Sequence, residues 1–349
     1  MIITNVILVD ERRNHRGTLV VEDGHIKEVE EHVRPLQEGI IDGEGLVLMP
    51  AFIDLHTHLR DPGQPEKEDM ASGMQAALKG GFVHVCAMAN TKPIVDEVKI
   101  LQENLKKAEK LNLCGLTQVS AVTKGFQEEE EALVDVAALR PWTSMFSNDG
   151  KNLGEAKAMR KALVAAKEYD FLLSCHCEPE APMAKGYMEM NREVGAPLHL
   201  CHISEKETLD AVRTYKKKGV RVTCEVTPHH LFASGMDYKV HPPFGEEKDV
   251  KALIEGIKEG IVDVLATDHA PHTKEDKQEG MPGLSNIEVA FAMYWKVFQE
   301  EGLSLSKLSE MLSRKPAELL GLPMGLLAPG MEASFILLNP HEKWTLDPK

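Results

Sequence analysis

His56-Thr57-His58 sets two imidazoles two residues apart, directly after the apolar run Leu46-Val47-Leu48-Met49-Pro50-Ala51-Phe52-Ile53. Residues two apart in a strand project from the same face. Such a pair can grip one metal ion from the end of a buried strand. A lone His-x-His says little, but this one has company. Asp149, His176, His202 and Asp268 each stand near the end of a later apolar run, as metal chemistry on one scaffold requires. Four imidazoles and two carboxylates favour Zn²⁺, with Mn²⁺ or Co²⁺ as substitutes. That set exceeds the needs of one tetrahedral zinc with an open position. Two ions sharing a carboxylate, about 3.5–4 Å apart, would use it naturally. Such a pair brings a bridging water to a pKa of roughly 7. Asp268 is placed to bind one metal and to shuttle a proton between that water and a leaving nitrogen.

The elements that must hold these residues follow from periodicity. Residues 1–49 read as short strands with turns: Ile2–Val9, Gly17–Glu22, Ile26–Val29 and Gly39–Met49. Beyond them an apolar strand and an amphipathic helix alternate. Expected strands are Leu48–Leu55, Gly81–Ala87, Gly115–Val122, Thr143–Phe146, Phe171–His176, Leu198–His202, Arg221–Val226 and Ile261–Ala266. Expected helices are Lys67–Lys79, Glu97–Lys110, Gln127–Leu139, Gly154–Lys167, Lys206–Lys218 and Lys248–Gly260. Alternation of this kind argues for an α/β protein with a parallel sheet and helices outside it. Eight strands is the count of a (β/α)₈ TIM barrel, whose active site lies at the C-terminal strand ends. His56, His58, Asn90, Asp149, His176, His202 and Asp268 occupy that end. Gly325–Pro340 returns to β character and is expected to join the N-terminal strands. The expected organisation is a β-sandwich side domain from 1–49 and 325–349, beside a metal-dependent catalytic domain at 50–324.

Composition bounds the function classes. The chain has 349 residues, 43% hydrophobic and 27% charged, with a formal net charge of −15. The negative charge argues against nucleic acid or an anionic membrane as the main partner. No apolar run reaches the roughly 20 residues that span a bilayer. The N-terminus lacks a basic leader with a small-residue cleavage site, so it does not read as a secretory signal. Cys86, Cys114, Cys175, Cys177, Cys201 and Cys224 all fall in apolar runs, the pattern of reduced core thiols in a cytoplasmic protein.

The motifs also match a known pattern. Asp54-Leu55-His56-Thr57-His58-Leu59-Arg60-Asp61-Pro62-Gly63-Gln64, Met88-Ala89-Asn90-Thr91-Lys92-Pro93 and Phe146-Ser147-Asn148-Asp149-Gly150 lead the series. His176-Cys177-Glu178, His202-Ile203-Ser204, Glu225-Val226-Thr227-Pro228-His229-His230 and Ala266-Thr267-Asp268-His269-Ala270-Pro271-His272 complete it. Together they resemble the dihydroorotases of type I in the amidohydrolase superfamily, nearly end to end. The resemblance implies zinc-dependent, reversible cyclisation of N-carbamoyl-L-aspartate to L-dihydroorotate in pyrimidine biosynthesis. It assigns His56 and His58 to one zinc, His176 and His202 to a second, and Asp149 to the bridge between them. Asp268 becomes both ligand and catalytic acid/base. Arg60, Asn90 and His272 would hold substrate, with the Arg60 fork on its carboxylate.

His229 and His230 read as orienting groups behind the ligands, and His25, His84, His199 and His241 as surface or packing residues. The chain departs from the family pattern at Ala89, Asn148, His241, Gly245 and Asn286, and between His176 and His202 it is shorter. Two other readings share the motifs. One is another cyclic amidohydrolase, a hydantoinase or allantoinase, although the bridging lysine of those enzymes is not evident. The other is a non-catalytic homologue partnering aspartate transcarbamoylase. A homo-oligomer is a further expected association.

Overall fold

The computed structural model describes residues 1–154 and 156–346. Position 155, within the expected helix Gly154–Lys167, and residues 347–349 of the expected side domain lie outside the described residues. The chain opens with β1 (Ile2–Asp10), β2 (Arg13–Glu22), β3 (His25–Glu30), β4 (Ile40–Asp42) and β5 (Val47–Pro50). There follow β6 (Phe52–Thr57), β7 (Phe82–Ala87), β8 (Gly115–Gln118) and β9 (Met145–Ser147). Then come β10 (Leu172–Cys175), β11 (Leu198–Leu200), β12 (Val222–Val226), β13 (Val264–Leu265) and finally β14 (Phe335–Leu338).

Among the described residues, β6 to β8 form one parallel sheet and β9 to β13 another. Single parallel bridges, Ser120↔Phe146 and Thr57↔His269, join the two sheets at both edges. Every residue of β6, β9, β10, β11 and β13 is buried, which is why these strands read as continuous apolar runs rather than alternating ones. At one end of the strands Ile53, Leu55, Val119, Met145, Leu172 and Val264 pack together under Ala317, Leu320 and Met324. The opposite end carries the polar cluster described below.

The remaining strands form a six-stranded sheet in the order β14-β5-β1-β2-β3, with β4 on the free half of β1. Residues just before β14 reach the far edge, where Ile26 N–H donates to Met331 O at 2.8 Å and Ala333 N–H to Gly24 O at 2.8 Å. One C-terminal segment therefore touches both edges, and the sheet curls around Ile3, Val6, Leu8, Leu19 and Leu48.

Two expectations need correction, and one helix was not among those expected. The run Leu48–Leu55 is two strands in different sheets. Ala51 N–H still bonds Ser334 O, while Phe52 N–H bonds Gly81 O, so the chain changes sheet within one residue. The stretch Gln127–Leu139 holds only the turn Glu130–Ala132 and the short helix Val136–Leu139. Val134 N–H pairs with Val122 O, and Leu133 bridges Thr123, which takes backbone groups a helix would have used. The short segment between His176 and His202 does contain a helix, Glu180–Val194, which presents Ala181, Ala184, Tyr187, Met188 and Asn191 inward. Its Pro182 lies in the first turn, where no intrahelical N–H is needed. Among the described residues no helix is long and apolar enough to cross a membrane.

Candidate metal centre

Asp149 lies at the middle of the cluster. Its Oδ1 is 3.4 Å from His56 Nε2, 3.4 Å from His202 Nε2 and 3.8 Å from His176 Nδ1. Its Oδ2 is 3.4 Å from His58 Nε2. Asp268 Oδ1 approaches from another side, 3.2 Å from His58 Nε2 and 3.6 Å from His56 Nε2. All six residues are buried. Their donor atoms fall into two groups, His56–His58–Asp268 and Asp149–His176–His202, each within 4.8 Å.

The donors fit a divalent cation. His56 Nε2 is fully buried yet has no hydrogen-bond partner, although carboxylates stand on two sides of it. A buried orphan of this kind requires a reason, and a hard-to-borderline ion among nitrogen and oxygen donors supplies one. Burial pushes the Asp149 carboxyl up, but the surrounding His56, His202 and His58 outweigh it and hold it well below the carboxylate range. The Asp268 carboxyl is likewise lowered, against the pull of burial, chiefly by His56 and His58. Burial and the adjacent His202 bring His176 down to about 3. These directions favour ionised carboxylates and a neutral His176, the forms that coordinate. Burial pulls His56 and His202 down, but Asp149 and Asp268 outweigh it and push both up, so a cation binding there displaces protons from those two rings.

Hydrogen bonds behind the cluster fix which nitrogen faces it. His56 Nδ1–H donates to Glu225 Oε1 at 2.7 Å, which turns Nε2 toward Asp149. His58 Nδ1–H donates to Asn90 Oδ1 at 2.9 Å, so Asn90 orients a histidine as well as facing the cavity. Glu225 also accepts from His199 Nε2 at 3.0 Å and from the His202 backbone N–H at 3.3 Å. Burial pushes the Glu225 carboxyl up, but its bonds with His199 and His56 bring it down to about 2. His199 is thus no ordinary packing residue, and Glu225 is the main residue of the site to which sequence reasoning gave no role. Its signals were its place in the block Glu225–His230 and a lone acid inside the apolar strand Val222–Val226. Glu225→Gln is expected to weaken retention of a divalent cation by roughly 10–100-fold, read by competition with a chromogenic chelator. Unchanged affinity would assign Glu225 to packing alone.

The strand ends are pinned in costly backbone conformations. Arg60, His202 and Asp268 have φ of +53°, +29° and +47°, a region that costs a non-glycine residue about 1–3 kcal/mol. Neighbouring bonds hold the Asp268 segment. Asp54 Oδ1 accepts from Thr267 N–H at 3.0 Å and from His56 N–H at 3.1 Å, and His58 N–H donates to His269 O at 2.8 Å. The Arg60 loop leans on the Asn90 loop through Gly63, where a Cβ would stand 2.0 Å from Lys92 O.

Arg60, Asn90 and His272 line one cavity of about 180 Å³ with His58, Asp149, His176, His202 and Asp268. Every residue expected from the sequence to hold metal or substrate is therefore either on this cavity or, for His56, directly behind it. His241, expected at the surface or in packing, also lines the cavity. Its ring stacks on His176 at 4.9 Å, and its Nε2 contacts Glu178 Oε2 at 3.1 Å. Asn148 serves structure instead: its Oδ1 accepts from Val122 N–H and its amide donates to Thr123 Oγ1. Asn286 is buried, and its amide donates to Thr267 O at 2.7 Å. His230 bonds Thr227 Oγ1 and Pro242 O, which fits an orienting role.

The amidohydrolase family matches residues 47–348. The dihydroorotase of Clostridium botulinum (strain Eklund 17B / Type B) is 36% identical, covering 99% of this chain and 91% of its own length. That of Deinococcus radiodurans is 35% identical and that of Aquifex aeolicus 33%, each covering 99% of this chain and 91% of its own. Among solved structures, the L-hydantoinase (dihydropyrimidinase) of Arthrobacter aurescens superposes with a TM-score of 0.86 at 19% identity. It covers 96% of this chain and 85% of its own. A D-hydantoinase from Thermus sp. gives 0.80 at 22%, with the same coverage. At such identities these structures share the fold alone, whereas the sequence relatives place the chain more closely: it belongs to the amidohydrolase family and, within it, to the dihydroorotases.

Proposed function

We propose that the chain is a metal-dependent cyclic amide hydrolase that interconverts L-dihydroorotate and N-carbamoyl-L-aspartate, a step of pyrimidine biosynthesis. The observation that carries this reading is one carboxylate, Asp149, met by four imidazoles on a cavity that also exposes Arg60. The relatives named dihydroorotase support it. The scaffold we infer is a (β/α)₈ barrel at 50–324 with a β-sandwich side domain from 1–49 and 325–349. Its support is the run of parallel neighbours from β6 to β13 and the curled terminal sheet.

His56 and His58 would hold one Zn²⁺ and His176 and His202 a second, with Asp149 between them and Asp268 on the first. Bound there, the ions would supply Lewis acidity and a water ionised near neutral pH. Arg60 binds the ring's carboxylate and sets its orientation, with Asn90 alongside and His272 acting through Arg60. Asp268 accepts the proton of the water attacking the ring carbonyl and returns it to the departing ring nitrogen. Closure of the ring runs the same proton path backwards.

The hydantoinase reading finds less support, because Asp149 fills the centre and the neighbouring Lys151 is exposed. A cytoplasmic location, a homo-oligomer and an aspartate transcarbamoylase partner belong to the same proposal. The free state of all six cysteines agrees with the location. Purified zinc-loaded protein should open dihydroorotate, followed as loss of its ultraviolet absorbance, and no ring opening would sink the reading. Elemental analysis of protein purified without chelator should give close to two divalent ions per chain. A plateau at one, unmoved by added zinc, would mean that Asp149 is not a bridge.

A further inference from the structure

We propose that Asp276 and Lys67 are positioning residues that aim Arg60 at the substrate through His272. The inference rests on the reading of Arg60 as the carboxylate-binding group. His272 Nε2 lies 3.2 Å from Arg60 Nη2, and its Nδ1 lies 3.3 Å from Asp276 Oδ2. A guanidinium donates and never accepts, so Nε2 must be the bare nitrogen. The ring proton then sits on Nδ1 and is donated to Asp276. The opposite tautomer would set two donors head-on at Arg60 and leave Asp276 facing a lone pair. The doubly protonated ring is disfavoured too, since burial, Arg60 and Lys67 together outweigh the upward pull of Asp276 and lower the pKa of His272.

Lys67 completes the arrangement. Its Nζ is 3.2 Å from Asp276 Oδ2 and 3.4 Å from His272 Nδ1. With Nδ1 already protonated, the ammonium donates to the carboxylate. The pairing offsets the Asp276 charge, which would otherwise oppose an anionic substrate held by Arg60. Arg60 is tethered twice along one edge, by His272 and by Nε–H to Pro271 O at 3.1 Å. Its remaining N–H groups are left as a fork for the cavity. Asp276 is also the third residue of the short helix Lys274–Gln278, whose capping box it forms with Thr273. Capping explains the Thr273 contacts. It does not explain why a histidine and a lysine converge on the same carboxylate oxygen.

The test couples a spectrum to kinetics on the zinc-loaded full chain. In ¹⁵N-histidine-labelled protein, the two-bond ¹H–¹⁵N pattern of His272, assigned by its loss in His272→Gln, should show a protonated Nδ1 and a bare Nε2. Asp276→Asn should shift that ring toward the Nε2–H form. It should also raise KM for dihydroorotate roughly tenfold, with kcat within about twofold. Lys67→Met leaves the capping box untouched. It should keep the wild-type tautomer yet raise KM in the same direction. A wild-type ring protonated on Nε2 overturns the relay, and so does an Asp276→Asn enzyme with unchanged tautomer and KM. Failure of the wild type to open dihydroorotate would sink the assigned reaction instead, and the tautomer, which needs no substrate, would still decide the relay.

Discussion

Asp268→Asn is expected to lower kcat by roughly 10²–10⁴-fold, the range of a lost general acid/base, while leaving the fold and most of the bound metal in place. The substitution isolates one property. An amide oxygen can still lie 3.2 Å from His58 Nε2 as Asp268 Oδ1 does, but it has no basic lone pair to take a proton from water. The backbone also favours this variant over others. Asp268 has φ of +47°, and asparagine enters that region more readily than most side chains. The bonds that hold the segment come from Thr267 and His269 backbone groups, which the change leaves alone. The measurement needs turnover, metal content and a circular-dichroism spectrum on one preparation. Near-normal turnover with full metal would move the proton to another residue on the cavity, and His241 would be the first to examine. Loss of metal alongside loss of turnover would show that Asp268 is needed as a ligand before it is needed as a base.

The centre was legible in the sequence because metal chemistry constrains residue type at particular places. His56, His58, Asp149, His176, His202 and Asp268 each follow an apolar run, and the strands gather their ends. The orienting roles of Glu225 and His199 were not legible. Glu225 serves His56 across 169 positions and His199 across 26, and no spacing rule links residues that meet only through the sheet. His199 carried no mark to separate it from a packed core histidine. The strand boundary at Ala51 was hidden for a related reason, since buried parallel strands and the terminal sheet both read as unbroken apolar sequence. The helix Glu180–Val194 was obscured by Pro179 and Pro182 at its start, although its inward residues keep helical spacing.

Arg60 is expected to decide which ring the cavity accepts. Dihydroorotate carries a carboxylate that hydantoin and dihydrouracil lack, and a guanidinium fork is suited to that group. The structure leaves the fork available. Arg60 gives Nε–H to Pro271 O and one Nη2 proton to His272, and the residue lines the cavity shared with Asp149 and Asp268. Burial lowers the pKa of the guanidinium, so an unpaired cation there is held at a cost. A site built this way disfavours an analogue without the matching anion, because the buried partner is left unsatisfied. Arg60→Met should therefore cut kcat/KM on dihydroorotate by roughly 10²-fold or more. Methionine keeps much of the stem's packing and meets the same positive φ that arginine already tolerates, so the loss is one of charge recognition. On dihydrouracil, if the enzyme opens it at all, the change should be small. The comparison requires both substrates on both proteins at the same zinc concentration and pH. Equal losses on the two rings would show that Arg60 supports its loop rather than reading a carboxylate, and would bring back the hydantoinase alternative.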